Sequence, residues 1–256
     1  MASDFLQYKA GGSILASLLP DVFTVESGTF FSFLIFMLVA VIGGMGSVSL
    51  TNVLNLILIY AGVVLAAVLV LQGHGGWTAI KALTAAQPDV PYLSLTAGMG
   101  WIGIISWIIV MMGNTNSVQG VVQIGLTGKD DKAARNGFIF GALLMVPVGF
   151  ICAILGVAGR ALLPDASASM ALPMILMSVP PILGGITLSG LWAADMGTGC
   201  SMIIGLSTTV STDIVYKLNC NKIPESKKML VNKVIVVLSS IITYLIATQI
   251  GAILDA

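Results

Sequence analysis

Charge is what this sequence has least of. Only 9% of its 256 residues are Asp, Glu, Lys or Arg, against 57% hydrophobic residues. A domain folded in water needs far more charge than that to stay dispersed, so the soluble classes are excluded. The eleven acidic and eleven basic side chains also cancel, which removes the basic surface that nucleic-acid binding requires. Histidine occurs once, as His74 in QGHGG, and reads as a solvated loop side chain. The three cysteines, Cys152, Cys200 and Cys220, lie far apart, the first two inside apolar segments. They read as small buried hydrophobes and not as a disulfide or a metal site. There is no Ser/His/Asp grouping, no metal-ligand spacing and no phosphate loop, so the sequence offers no enzyme chemistry and asks for no cofactor.

Long apolar runs fill the space that charge leaves. Their lengths and their scattered glycines suit helices, since the alternation of a membrane barrel is absent. The class is therefore an all-α, polytopic transmembrane helix bundle. The first 20 residues, MASDFLQYKAGGSILASLLP, lack the flank and cleavage site of a signal peptide, and read as the tail of one helix followed by a surface helix or turn. Spans are expected at about 23–44 and 50–72, with GGMGSVS as a tight glycine-rich turn between them. The polar loop that follows has Lys81 as its one basic residue. The next span covers 95–124. Its NTNS run, Asn114 to Ser117, is either the polar end of a helix or a break inside one, as in the discontinuous helices of transporters. Further spans cover 136–164, kinked at Pro147, then 181–216 and 230–254, with a short outer helix in ASASMALPMILMSV.

The chain is organised around PPILGGITLSGLWAADMGTGCSMIIGLSTTVSTDIVYK, Pro180 to Lys217. A proline pair suits a helix start, and about 36 residues at 1.5 Å each make roughly 54 Å, longer than the hydrocarbon layer. Asp195, Gly197, Thr198, Gly199 and Ser201 occupy its middle, where a simple anchor would carry Leu or Val. A carboxylate at that depth costs about 2.5 kcal/mol or more, so it normally faces protein or water and has a task. Orientation follows from the basic residues. Lys129, Lys132, Arg135, Lys217, Lys222, Lys227, Lys228 and Lys233 are eight of the eleven, and the positive-inside rule puts their loops, 125–135 and 217–229, in the cytoplasm.

Three stretches resemble the sodium:solute symporter family, which includes sodium-coupled sugar, proline and pantothenate carriers. Pro180–Lys217 is similar to that family's eighth core helix. VQGVVQIGLTGKDDKAARNGFIFGALL is similar to its glutamine- and arginine-marked cytoplasmic loop, and GGMGSVSLTNVLNLILI to the start of its fifth core helix. Together they cover nearly all of the chain in the family's order. The resemblance implies part of a LeuT-like fold of two inverted five-helix repeats, beginning here at the end of the third core helix and stopping after the ninth. On that alignment the chain is a fragment whose missing N-terminal helices and last core helix are partners it needs, leaving Gly184, Gly185 and Gly190 without the helix they pack against.

Residue by residue, the family's sodium-binding carbonyl falls on Ala194, and its hydroxyl pair on Gly197 and Thr198. Positions i, i+3 and i+4 share a helical face, and oxygen ligands suit Na+. Gly197 supplies the position but no hydroxyl. Asn52 stands where the family has Asp, and Asp195 where it has an apolar residue. Asp195 either replaces the lost ligand, with Ser201 nearby, or couples the carrier to H+, or else pairs with a polar group such as Asn114 or Asn116 and fixes packing. Solute contacts fall on Met111, Asn114 and Thr115, with Gln119 and Gln123 as the motif glutamines. Ile124 in place of the motif Arg, and Met145 where a sugar carrier can have Lys, disfavour a sugar.

The implied function is cation-coupled symport of a small organic solute by alternating access, in the cell (inner) membrane, with Na+ or H+ as coupling ion. The alternative is a symporter-like membrane sensor or anchor module of a larger signalling protein.

Overall fold

The structure, a computed structural model, describes residues 2–85, 93–94, 96–117, 119–126, 128–218 and 223–254. Among them every regular element is helical: α1 (Ala2–Leu18), α2 (Val25–Gly73), α3 (Gly76–Ala85), α4 (Gly100–Ser117), α5 (Gln119–Leu126), α6 (Asp131–Leu162), α7 (Ala168–Met177), α8 (Pro181–Thr209), a π-helical segment (Val210–Tyr216) and α9 (Glu225–Leu254). Among the described residues, four stretches are long and apolar enough to cross a membrane: Val25–Gly43, Asn52–Gly73, Asp131–Leu162 and Ser226–Leu245. The chain divides into two compact units. One comprises Met1–Asn55, Val118–Ile124 and Trp192–Ala256, the other Leu56–Ser117 and Gly125–Leu191.

The first unit is held by an aromatic core. Tyr8, Phe33, Phe36, Ala40, Cys200, Ile203 and Val236 are all buried together. Tyr8 meets Phe33 edge-on at 5.7 Å, and Phe33 stacks on Tyr244 at 4.6 Å. Such pairs add to the stabilisation that comes from burial alone. Residues Gly11 to Ala16 of α1 are buried without exception, which corrects the expectation of a surface helix. The reason is a close crossing of α1 and α2. A Cβ on Gly12 would lie 2.5 Å from Thr29 N and 2.7 Å from Val25 O, and one on Gly28 only 2.8 Å from Gly12 O. Small residues permit this approach, and in lipid it is van der Waals contact that joins helices.

The expected turn at GGMGSVS is corrected in part. Backbone hydrogen bonding stays helical through residues 43–50, yet the path bends. Phe36 meets Gly199 and Asn52 meets Gly197. Those contacts sit two residues apart on α8, whereas sixteen residues of straight helix span about 24 Å. The NTNS run is likewise helical, as the last turn of α4.

In the second unit α6 packs on α3 and α7, with Leu155, Ala158, Ile175 and Leu176 buried. The N-terminal half of α6 is exposed nearly all round, with Phe138, Phe140, Leu143, Met145 and Phe150 turned outward, a surface suited to lipid. Asp130 caps α6, accepting from Ala133 N at 2.6 Å. Losing an N-cap acceptor costs about 1 kcal/mol, so Asp130→Ala is expected to lower the melting temperature of the purified protein by a few degrees. An unchanged melting curve would show the cap to be idle. Gly184 and Gly190 both have neighbours within the chain, at the Leu176 carbonyl and at Leu58 and Ile59. That corrects the expectation that they lack a packing partner. Gly185 alone of the three faces open space.

Candidate functional site

The helix α8 is less apolar than the four candidate spans, because small and hydroxyl residues replace Leu and Val along it. Hydroxyls in a helix need an acceptor, and here the helix supplies its own. Ser201 Oγ donates to Thr198 O at 2.8 Å, Ser207 and Thr208 both donate to Ile204 O, and Ser211 and Thr212 both donate to Thr208 O. Such back-bonds compete with the regular ladder and distort it. The π-helical turn from Val210 begins where they are densest, and a turn of that kind often marks a functional stretch. At its C-terminal end, Asp213 pairs with Lys217 at 3.1 Å, both exposed, and Tyr216 Oη donates to Asn232 Oδ1 at 2.8 Å.

Two oxygens of the expected cation site come together. Thr198 Oγ1 lies 3.2 Å from Ala194 O and donates to it, so one turn of α8 presents a carbonyl and a hydroxyl side by side. A hard cation is held by oxygens of this kind, provided the hydroxyl turns its proton away. Gly197 is buried, and the space its side chain would take is filled by Asn52. A Cβ there would overlap Asn52 Oδ1 and stand 2.9 Å from Asn52 Cγ. The two sequence departures are thus one feature, in which a carboxamide on α2 stands where residue 197 has no side chain. Ser201 is buried, and a Cβ on Gly120 of α5 would come 3.1 Å from its carbonyl oxygen.

Asp195 turns elsewhere. Its Oδ2 is buried without a hydrogen-bond partner, 3.1 Å from where a Cβ of Gly11 would sit. This placement left no mark in the sequence, since a tertiary contact between α1 and α8 has no local signal. Among the solute positions, Met111 and Met145 are exposed side chains of the second unit. The side chains of Asn114, Thr115, Asn116, Gln119, Gln123 and Ile124 lie outside the described residues, as does Cys220. Cys200 is buried and its Sγ donates to Phe36 O at 3.2 Å, while Cys152 is half-buried. His74 keeps Nδ1 2.9 Å from Val70 O.

A model of the sodium:solute symporter family matches residues 6–253. The chain belongs to that family. It is 27% identical over 210 residues to a sodium/pantothenate symporter of Haemophilus influenzae, covering 80% of this chain and 42% of that protein. It is 27% identical over 186 residues to a sodium/proline symporter of Staphylococcus aureus, covering 69% of this chain and 35% of that protein. The chain therefore spans about two fifths of the length of these curated relatives. Among solved structures, a Na+-coupled sialic acid symporter in a substrate-bound, outward-open state superposes with a TM-score of 0.74 at 21% identity, over 98% of this chain and 58% of that one. That likeness shows the fold. Within the sodium:solute symporter family, α8 of this chain carries the buried hydroxyls of Thr187, Ser201 and Ser207 and the partly buried carboxylate of Asp195.

Proposed function

We propose that the protein is a secondary active transporter of the cell membrane that couples entry of a small organic solute to Na+ by alternating access. The observation that carries this reading is the pairing of Ala194 O with Thr198 Oγ1 at 3.2 Å on a helix that belongs to a sodium:solute symporter. A carbonyl and a hydroxyl one turn apart offer two oxygens to a single ion. Membership in the family and apolar helices long enough to cross a bilayer support the location. The basic loops at 125–135 and 217–229 support a cytoplasmic placement of that side. Relatives named for pantothenate and proline support a small organic solute. Asn114, Thr115, Met111 and Gln119 are proposed as its contacts.

Proteoliposome uptake of candidate solutes under an inward Na+ gradient tests the reading. Uptake is expected to need Na+, and Thr198→Ala is expected to raise the Na+ concentration for half-maximal uptake by about tenfold, since one oxygen contact to a cation is worth on the order of 1.4 kcal/mol. Uptake that ignores Na+, or a Thr198→Ala protein with unaltered Na+ dependence, would defeat the assignment.

A further inference from the structure

The face of α8 that carries Asp195 differs from the one that carries Ala194 and Thr198. Trp192, Asp195 and Gly199 recur every three or four residues and meet α1 and the first half of α2. Trp192 Nε1 donates to Ser32 Oγ at 3.2 Å, Gly199 sits against Phe36, and Asp195 Oδ2 sits against Gly11. Asn52, farther along α2, meets Gly197 on the opposite side of α8.

Gly11 leaves a small gap between two oxygens. A Cβ there would lie 2.7 Å from Ser32 Oγ and 3.1 Å from Asp195 Oδ2, so the missing side chain puts both oxygens on the rim of one space. Ser32 is fully buried. A hydroxyl has one proton to give and two lone pairs. With the Trp192 indole on one lone pair, Ser32 has a proton to give to a carboxylate and a lone pair to offer a carboxyl. The other polar group at the carboxyl is the Gly11 backbone N–H. A metal cation would need about six oxygens here, and one of the few polar neighbours is an N–H donor that repels it. A proton needs a single carboxyl oxygen.

We propose that Asp195 is a proton-binding site with Ser32 as its hydrogen-bond partner, set apart from the Ala194–Thr198 face. In the structure Asp195 Oδ2 has no hydrogen-bond partner. The Ser32 hydroxyl, on the other rim of the Gly11 gap, is the group that a small side-chain movement brings to it, donating to the carboxylate and, on uptake of H+, accepting from the new carboxyl O–H. The site gives the carrier a second cation, H+, beside Na+. That role in coupling rests on the transport reading above, whereas protonation itself does not. The other ionisable groups on the elements around it are Tyr8 and Lys9 on α1, Glu26 six residues before Ser32 on α2, Cys200 on α8, and Tyr244 on α9, stacked on Phe33.

Infrared difference spectroscopy of the purified protein in liposomes, stepped through pH, reads the site directly. A protonated-carboxyl C=O band is expected to grow on acidification, to vanish in Asp195→Asn, to shift in frequency in Ser32→Ala and to hold its place in Ser32→Thr. A band that survives in Asp195→Asn overturns the proposal, as does one that Ser32→Ala leaves unmoved. Should Asp195→Asn fail to fold, the two Ser32 variants decide alone. A protein with the band but no Na+-driven uptake upholds the proton site and defeats the transport reading. Na+-driven uptake without the band does the reverse.

Discussion

Gly197→Ser is expected to push the Asn52 carboxamide aside and to destabilise the protein by about 1 kcal/mol, the low end of what overpacking costs because the group it meets is a movable side-chain end, even though it restores the residue type that the family's pattern would place there. The cause is Asn52, whose carboxamide already occupies the volume that a side chain at 197 requires. Asn52→Ala in the same protein is expected to recover most of that loss, with a coupling between the two sites of about 1 kcal/mol, because residues in direct contact do not act additively. Melting curves of the two single variants and the double variant measure the coupling. The double variant has the hydroxyl at 197 with room around it, and is expected to bind Na+ more tightly than the natural protein by several fold in equilibrium titration. Additive melting shifts would show that the two positions are independent, and would sink the idea that Asn52 stands in for the missing side chain.

Gly12→Ala should have the largest structural effect. Unlike Asn52 at Gly197, the atoms that a methyl group would strike at Gly12 include backbone, Thr29 N at 2.5 Å and Val25 O at 2.7 Å. Backbone cannot rotate away, so α1 and α2 must separate. Their crossing is what keeps Ser13, Ile14 and Ala16 buried, and without it these faces reopen to lipid. A loss of about 3 kcal/mol is expected, at the upper end of what overpacking costs. The readout is the fraction of monodisperse protein on size exclusion and the melting temperature. Behaviour like that of the natural protein would mean that the two helices do not need this approach.

The helical class and the special standing of α8 were legible in the sequence because both are written locally. Apolar run length marks a span, and Pro181 marks the first turn of α8. Asp195, with the glycines and hydroxyls around it, stands out against an apolar background. The burial of α1 was hidden, since Gly11-Gly12 and Lys9 read as surface until α2 is placed against them. At GGMGSVS the glycines signalled a turn, yet the backbone keeps helical hydrogen bonds while the path bends, because a helix can kink at glycine and serine without abandoning the ladder. Asn52 and Gly197 were each visible as departures, 145 positions apart, but their meeting is a tertiary fact with no periodicity to announce it. The same holds for Asp195, which spacing alone would set beside Thr198 and which the packing turns toward Gly11.

Gripped by Phe36 at Gly199 and by Asn52 at Gly197, on nearly opposite sides and within one turn, α8 has little freedom to spin about its own axis. Tilting or sliding lengthwise remains open to it only in company with both arms of α2, so any displacement of the face that carries Ala194 and Thr198 moves three rods as a single lever.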